Sequence, residues 1–188
     1  MPPPRHQLLD ELIELFLAEG FLELGVGDLA ARLRCSRTTI YQVAPSKEEI
    51  VLTAVRGFFR RATERIEAQV EGEPDPGARL SVYLVAVAAE LAPASERFYA
   101  DLQAYAPAAG IYEANTRLAA RRLQDLVTAG VAAGALRPVD ATFVGAAVAQ
   151  VMTAIQGGAI ASASGLADAA AYRALADLVV HGVGGTTA

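Results

Sequence analysis

The side chains best suited to chemistry lie between Ser36 and Ile50, in the segment SRTTIYQVAPSKEEI. It offers guanidinium, amide and hydroxyl groups, which hydrogen-bond to base edges and to phosphates. No carboxylate occurs between Leu29 and Lys47. Four cations do occur there: Arg32, Arg34, Arg37 and Lys47. Because a short helix with a locally basic surface can enter a major groove, the segment predicts a DNA-binding surface.

Three short helical elements are predicted to position these groups. Residues 7–19 place large apolar side chains at helical spacing, and Gly20 is a natural C-terminal stop. A second helix is predicted over Val26–Leu33. Ser36 can cap a third helix over Arg37–Val43. This spacing suits a helix-turn-helix, although many helical hairpins share it.

A long fourth helix is predicted after Pro45. Ser46 and Glu49 form a capping box at its start, and apolar residues continue at helical spacing to Val70. Several arginines line this helix: Arg56, Arg60, Arg61 and Arg65. Salt pairs with glutamates of the same helix are favoured over a second phosphate-binding stripe.

Individual DNA contacts follow from side-chain chemistry. Four residues are expected on the exposed face of the third helix: Arg37, Thr38, Thr39 and Gln42. Arginine pairs with guanine, glutamine with adenine, and threonine contacts a thymine methyl group. Lys47 can bind a phosphate with the free N–H groups at the start of the fourth helix, and Arg5, in a pre-helical arm, can reach a minor groove. The alternative for this set is an ordinary solvated surface.

Residues 5–55 together resemble the N-terminal domain of the TetR family of one-component regulators. The matching elements are LIELF from Leu12, EGF from Glu19, DLA from Asp28, SRTTIY from Ser36 and SKEE from Ser46. The resemblance implies an all-α homodimer with a ligand-binding C-terminal domain. It also implies that the Tyr41 hydroxyl reaches a phosphate, with core packing as the alternative.

Some positions depart from the family pattern. Arg34 stands where the family usually has glycine in the turn, and a left-handed conformation there would cost about 1 kcal/mol. Val43 and Ala44 replace the usual aromatic residue. These departures, together with a net charge of −5, motivate a second hypothesis: a helical small-molecule binding protein with a degenerate DNA-binding domain.

The clearest break in the chain is residues 71–77, with two prolines, two glycines and three carboxylates. Five further helices are predicted, near residues 78–92, 94–105, 108–133, 140–162 and 168–182. The predicted fold is all-α: an N-terminal three-helix helix-turn-helix domain joined by the long fourth helix to a C-terminal helical domain. We assign residues 5–50 to the DNA-binding domain and 51–188 to the ligand-binding and dimerisation domain.

The stretch from Ala141 to Ala167 carries no charge, yet it is mostly Ala, Gly, Ser and Thr. Its length would suffice for a membrane span, but alanine and glycine contribute little to insertion. A helix buried between two subunits is favoured instead. The predicted dimer-interface residues are Val151, Ile155, Gly158, Leu175, Leu178 and Val179.

Aromatic and amide side chains in the C-terminal part could line an effector cavity. The candidates are Tyr83, Phe98, Tyr99, Gln103, Tyr105, Tyr112, Met152 and Gln156. Ordinary core packing is the alternative for each of them. The predicted effector is a small apolar or amphipathic molecule.

Composition argues against other classes. Cys35 is the only cysteine and the two histidines lie far apart, so no zinc, di-iron or hydrolase pattern is present. We therefore expect no enzyme activity and no cofactor, and the single thiol fits a reducing cytoplasm. The sequence predicts a transcriptional repressor that binds a palindromic operator as a homodimer and is released by its effector.

Overall fold

The computed structural model describes residues 4–183 of the 188-residue chain. The described part consists of helices joined by turns, with no β-strand, so the all-α prediction is confirmed. Its helices are α1 (Arg5–Glu19), α2 (Val26–Arg32), α3 (Arg37–Ile40), α4 (Lys47–Glu71), α5 (Pro76–Leu91), α6 (Glu96–Ala104), α7 (Ala106–Ala132), α8 (Ala141–Gln156), α9 (Ala159–Ser164) and α10 (Asp168–Val183). The tail at 184–188, expected to fray, lies outside the described residues.

Two predicted helices differ from those observed by more than two residues. The third helix was predicted to reach Val43 but ends at Ile40, because the amides of Gln42 and Val43 turn back to carbonyls only three residues earlier, at 3.1 and 3.0 Å. The helix predicted over 140–162 is two helices. Gly158, with φ 74°, adopts a left-handed conformation that an α-helix cannot contain, and this separates α8 from α9.

One compact unit comprises residues 4–61 with 93–112. The apolar face of α1 is buried in it, and α1 packs against α6. Phe21, which follows α1, lies 5.9 Å from Phe16 and 6.0 Å from Phe98 between ring centroids. Phe58 of α4 approaches Phe98 edge-on at 5.8 Å. This aromatic cluster joins α1, α4 and α6 in one apolar core.

The other compact unit comprises residues 62–92 with 113–183. In it α10 packs against α5 and α8. Arg122 of α7 makes a two-pronged ion pair with Glu67, with Nη2–Oε2 at 2.7 Å and Nε–Oε1 at 3.0 Å. The predicted break lies between the end of α4 at Glu71 and the start of α5 at Pro76. The proposed domain boundary at residue 50 stays a prediction.

The charge-free segment that starts at Ala141 forms α8, which has 16 residues. Among residues 4–183, no single helix is both long and apolar enough to cross a bilayer. The bent pair formed by α5 and α6 has the length and apolar composition of a membrane span, and only those two properties favour a span there.

Candidate nucleic-acid interface

The turn between α2 and α3 is built by three local interactions. Arg34 has φ 51°, the left-handed conformation expected at this position. The Cys35 amide donates to the Ala30 carbonyl at 2.9 Å, which closes the end of α2. Ser36 then caps α3, since its hydroxyl accepts from the Thr39 amide at 3.0 Å. Together they form a helix-turn-helix.

The outer surface of α3 and of the turn that follows it is polar, and the underside is apolar. Arg37, Thr38 and Gln42 are exposed, as predicted. Ile40 is fully buried and Val43 is 2% exposed, so these two residues anchor the element. The exposed side chains can therefore face a ligand without loosening the core.

Thr39 does not lie on the exposed face, so that part of the prediction is wrong. It is only 7% exposed, and its hydroxyl lies 2.8 Å from the Ser36 hydroxyl. The reason is the shortness of α3: after one turn, the third helical position points back toward the cap. Thr39 shapes the start of the helix, and a thymine contact from it has no open path.

Tyr41 is 46% exposed and directly follows α3. Core packing, the alternative for this side chain, does not fit that exposure. Its predicted phosphate contact stays a prediction.

The Arg37 guanidinium lies over Gly27 of α2, where an added Cβ would come within 2.8 Å of Nη2. A glycine at this position therefore gives Arg37 room to lie against α2.

Lys47 is the first residue of α4, as predicted. Its ammonium group donates to the Leu22 carbonyl at 2.9 Å, which ties the start of α4 to the loop between α1 and α2. Ser46 caps the helix by accepting from the Glu49 amide at 3.1 Å. A cation held beside the free amides of a helix start is well placed for a phosphate.

Arg5 is not in a pre-helical arm, which corrects the prediction. It is the first residue of α1, and its guanidinium donates to the Val43 carbonyl at 3.0 Å. The proline before it favours a helix start at this position, because the residue preceding a helix adopts an extended conformation that Pro4 supplies. Arg5 supports the turn after α3 here, and its minor-groove contact is left as a prediction.

Comparisons with known proteins agree with this geometry. Residues 8–54 match the family model for bacterial regulatory proteins of the tetR family. Many solved structures of this family share the fold over nearly the whole chain. Residues 8–54 therefore form a TetR-family N-terminal domain, and the chain as a whole shares the fold of these structures. The resemblance noted from the sequence is thereby confirmed, and it supports DNA-binding transcriptional regulation.

Three solved structures illustrate the shared fold. A TetR/AcrR-family regulator from Thermobifida fusca is 22% identical, with a TM-score of 0.65 and coverage of 95% of this chain and 97% of that one. A regulator from Saccharomonospora viridis, in complex with choline, is 18% identical, with a TM-score of 0.73 and coverage of 96% and 97%. The ketosteroid regulator of Mycobacterium tuberculosis is 19% identical, with a TM-score of 0.61 and coverage of 98% and 97%. No curated protein matches.

Five of the effector candidates belong to the unit that contains α1 and α3. Phe98, Tyr99 and Tyr112 are buried there, with Tyr99 and Tyr112 rings 6.2 Å apart. Gln103 is exposed and Tyr105 is half-buried. Packing of this kind is what the core alternative predicts for the three buried rings.

The other three effector candidates lie in the unit that contains α8 and α10. Tyr83 and Met152 line an apolar cavity of about 20 Å³, room for about one water molecule. The Gln156 amide donates to the Thr116 hydroxyl and, at 3.3 Å, to the Tyr172 hydroxyl. Tyr172 also lines the cavity, and sequence reasoning missed it. Its place on the buried face of α10, beside Ala171 and Leu175, was the available signal.

Tyr83 is held in its neutral form. Burial raises the pKa of its phenol well above the usual range, Glu67 raises this pKa further, and Arg122 partly opposes the shift. Its hydroxyl donates to the Ala119 carbonyl at 3.1 Å. Since that bond orients the ring, Tyr83 gives the cavity a fixed wall with one satisfied polar group.

The predicted dimer-interface set divides by exposure. Ile155, Leu175 and Val179 are buried in the chain's own core at 1%, 7% and 8%, so they have almost no surface left for a partner, and their assignment is corrected. Val151 and Gly158 are half-buried. Leu178 is 68% exposed. Sequence reasoning missed Phe143, which is 72% exposed on α8.

Cys35 is half-buried in the turn between α2 and α3. Burial raises the pKa of its thiol, and the charge of Glu11 adds to this effect. The neutral thiol is therefore favoured, which fits a small packing residue better than a reactive one.

Proposed function

We propose that this protein is a TetR-family regulator, a homodimeric repressor whose two α3 helices read a palindromic operator. The observation that supports the proposal is the α3 segment itself, with Arg37, Thr38 and Gln42 outward and Ile40 inward. Arg37 would pair with guanine and Gln42 with adenine in the major groove. Tyr41 and Lys47 would contact the flanking phosphates.

The homodimer is supported by exposed apolar side chains on two helices that pack together. Phe143 on α8 is 72% exposed and Leu178 on α10 is 68% exposed. Large apolar groups left in water are costly, at roughly 25 cal/mol per Å². A second copy would cover both by an isologous contact about a two-fold axis, and that symmetry makes the operator an inverted repeat.

Effector release is supported by the cavity lined by Tyr83, Met152 and Tyr172. Its walls are apolar apart from these two tyrosines, which suits a small apolar or amphipathic molecule. At about 20 Å³ it must widen to admit one. An effector that favours the widened state shifts the equilibrium away from the DNA-bound state. The choline complex of the S. viridis regulator gives a precedent on the same fold.

The test is selection of bound duplexes from a random DNA pool with the purified protein. The variant Arg37→Ala/Gln42→Ala removes the proposed base contacts. The matched control Arg121→Ala/Gln69→Ala removes the same two groups from exposed positions in the other unit. An enriched inverted repeat is expected, bound by wild type and control and lost in the α3 variant. No enrichment by a folded dimer would favour a small-molecule binding protein with a degenerate DNA-binding domain.

A further inference from the structure

Asp101 of α6 is the one charged residue among residues 4–183 that is almost fully buried, at 5% exposed. Burying a carboxylate is costly unless hydrogen bonds compensate. A buried charge in an otherwise apolar helix face therefore calls for an explanation. The DNA contacts assigned above make no use of it.

The partners of Asp101 are backbone amides of the loop between α1 and α2. Its Oδ2 accepts from the Phe21 amide at 2.5 Å and from the Leu22 amide at 2.8 Å. Its Oδ1 lies 3.7 Å from Nε of Arg97, which also pairs with Glu23 of the same loop. The carboxylate thus holds two consecutive peptide units in one place, and charge-assisted bonds of this kind are strong.

Gly20 makes this approach feasible. A Cβ at that position would come within 2.5 Å of Oδ2 of Asp101 and 2.6 Å of Cγ of Arg97. The start of α6 is tethered in the same region, since the Ser95 amide donates to the Leu17 carbonyl at 2.8 Å. The end of α1 and the first turns of α6 are therefore fitted to each other at the level of the backbone.

The loop between α1 and α2, which Asp101 fixes, also binds Lys47. The Leu22 residue donates its amide to Asp101 and accepts from Nζ of Lys47, at 2.9 Å, through its carbonyl. Leu22 therefore links the buried carboxylate of α6 to the cation that begins α4. A shift of the loop would move the ammonium group, because the carbonyl is the polar partner that fixes it.

We propose that Asp101 is a positioning residue for DNA binding: by fixing the backbone at Phe21 and Leu22, it places Lys47 for its phosphate contact. The inference rests on the proposed DNA-binding function. It assigns to α6, which lies far along the chain from the helix-turn-helix, a direct part in setting DNA affinity.

The sign of the effect separates this role from plain electrostatics. Asp101 is negative, so removing its charge should tighten DNA binding if only the long-range field matters. If the carboxylate positions Lys47, the same change weakens binding. Glu96 offers the matched control, because it is an exposed acid on the same helix. Glu96→Gln changes the net charge equally without touching the loop.

The experiment compares operator affinity, by fluorescence anisotropy on the selected duplex, for wild type, Asp101→Asn, Glu96→Gln, Lys47→Gln and the double variant Asp101→Asn/Lys47→Gln. We expect Asp101→Asn to weaken binding about tenfold and Glu96→Gln to leave it equal or tighter. We also expect Lys47→Gln to cost little further once Asp101 is changed, since both act on one contact. The salt slope should fall by about one in Asp101→Asn and in Lys47→Gln, and it should stay unchanged in Glu96→Gln.

Two results would overturn the proposal: an affinity for Asp101→Asn that equals or exceeds wild type, or losses that simply add in the double variant. A merely structural role would lower the melting temperature while leaving the affinity and salt slope of the folded dimer intact. If Asp101→Asn does not fold, Arg97→Gln replaces it in the comparison. A smaller loss of operator affinity is then expected, and an unchanged affinity would refute the proposal. A wild type that binds no duplex refutes the proposed function as well, whereas binding with Asp101→Asn unchanged refutes the positioning role alone.

Discussion

Replacement of Gly20 by alanine tests the fit between the end of α1 and α6. Gly20 has φ 75° and ψ −172°, a region populated essentially by glycine alone, and other residues there are strained by about 1–3 kcal/mol. The added Cβ would also displace the Asp101 carboxylate, 2.5 Å away. Loss of bonds to a buried charged group costs about 1.5–3 kcal/mol. Gly20→Ala should therefore destabilise the protein by roughly 3 kcal/mol or more.

Gly165 provides the matched control for this measurement. It has φ 72° and ψ 5° at the end of α9, and nothing lies within 4 Å of an added Cβ. Gly165→Ala therefore incurs only left-handed strain, about 1 kcal/mol. The assay is urea unfolding followed by circular dichroism at one fixed protein concentration, which keeps any dimer contribution constant. If the two variants lose equal stability, the contact with Asp101 contributes nothing and the reasoning fails.

Three further outcomes are expected. Ser36→Ala removes the cap of α3 and should lower the free energy of unfolding by about 1 kcal/mol in urea denaturation, while an unchanged value would deny the cap any role. The pKa of Tyr83 is raised on folding. Its contribution to stability is therefore complete below the pKa of the unfolded state, about 10, and declines as the pH rises above that value. Tyr83→Phe should therefore flatten the alkaline loss of stability, and an identical pH profile would contradict this. Phe143→Glu should give monomers in analytical ultracentrifugation, whereas Val85→Glu, at an apolar site on α5 that is 61% exposed, should not; dissociation by both would point to general instability.

Local features of the helices were predictable where one sequence signal dominated. The capping serine at Ser36 and the stop at Gly20 lie where expected, because capping and left-handed glycine act over a few residues. Arg34 adopts the left-handed conformation for the same local reason. The break at Gly158 was not predicted, because a glycine within a run of small residues is equally compatible with close packing of an unbroken helix.

The candidate site was less predictable because it depends on contacts between distant segments. Thr39 was placed outside by helical periodicity, but a helix of four residues is too short for that periodicity to hold. Asp101 carried no sequence signal for its role: its partners are backbone amides about 80 residues away, at Phe21 and Leu22. Backbone partners leave no residue type to recognise, so this contact could be found only in the folded structure.

The distribution of ion pairs explains how a chain of net charge −5 can present a basic face. Arg61 pairs with Asp10 of α1, and Arg65 pairs with Glu90 of α5. These two arginines of α4 therefore pair with carboxylates of other helices, whereas pairs within α4 were predicted. In such pairs the positive charge of the arginine is neutralised by a neighbouring carboxylate. Among residues 4–183, no ion pair joins Arg37 to a carboxylate. Because screening in salt limits the reach of a surface charge to about 8 Å, the field at α3 depends on the residues beside it more than on the total. The acids of the chain thus neutralise arginines elsewhere and leave the charge of α3 available to a phosphate backbone.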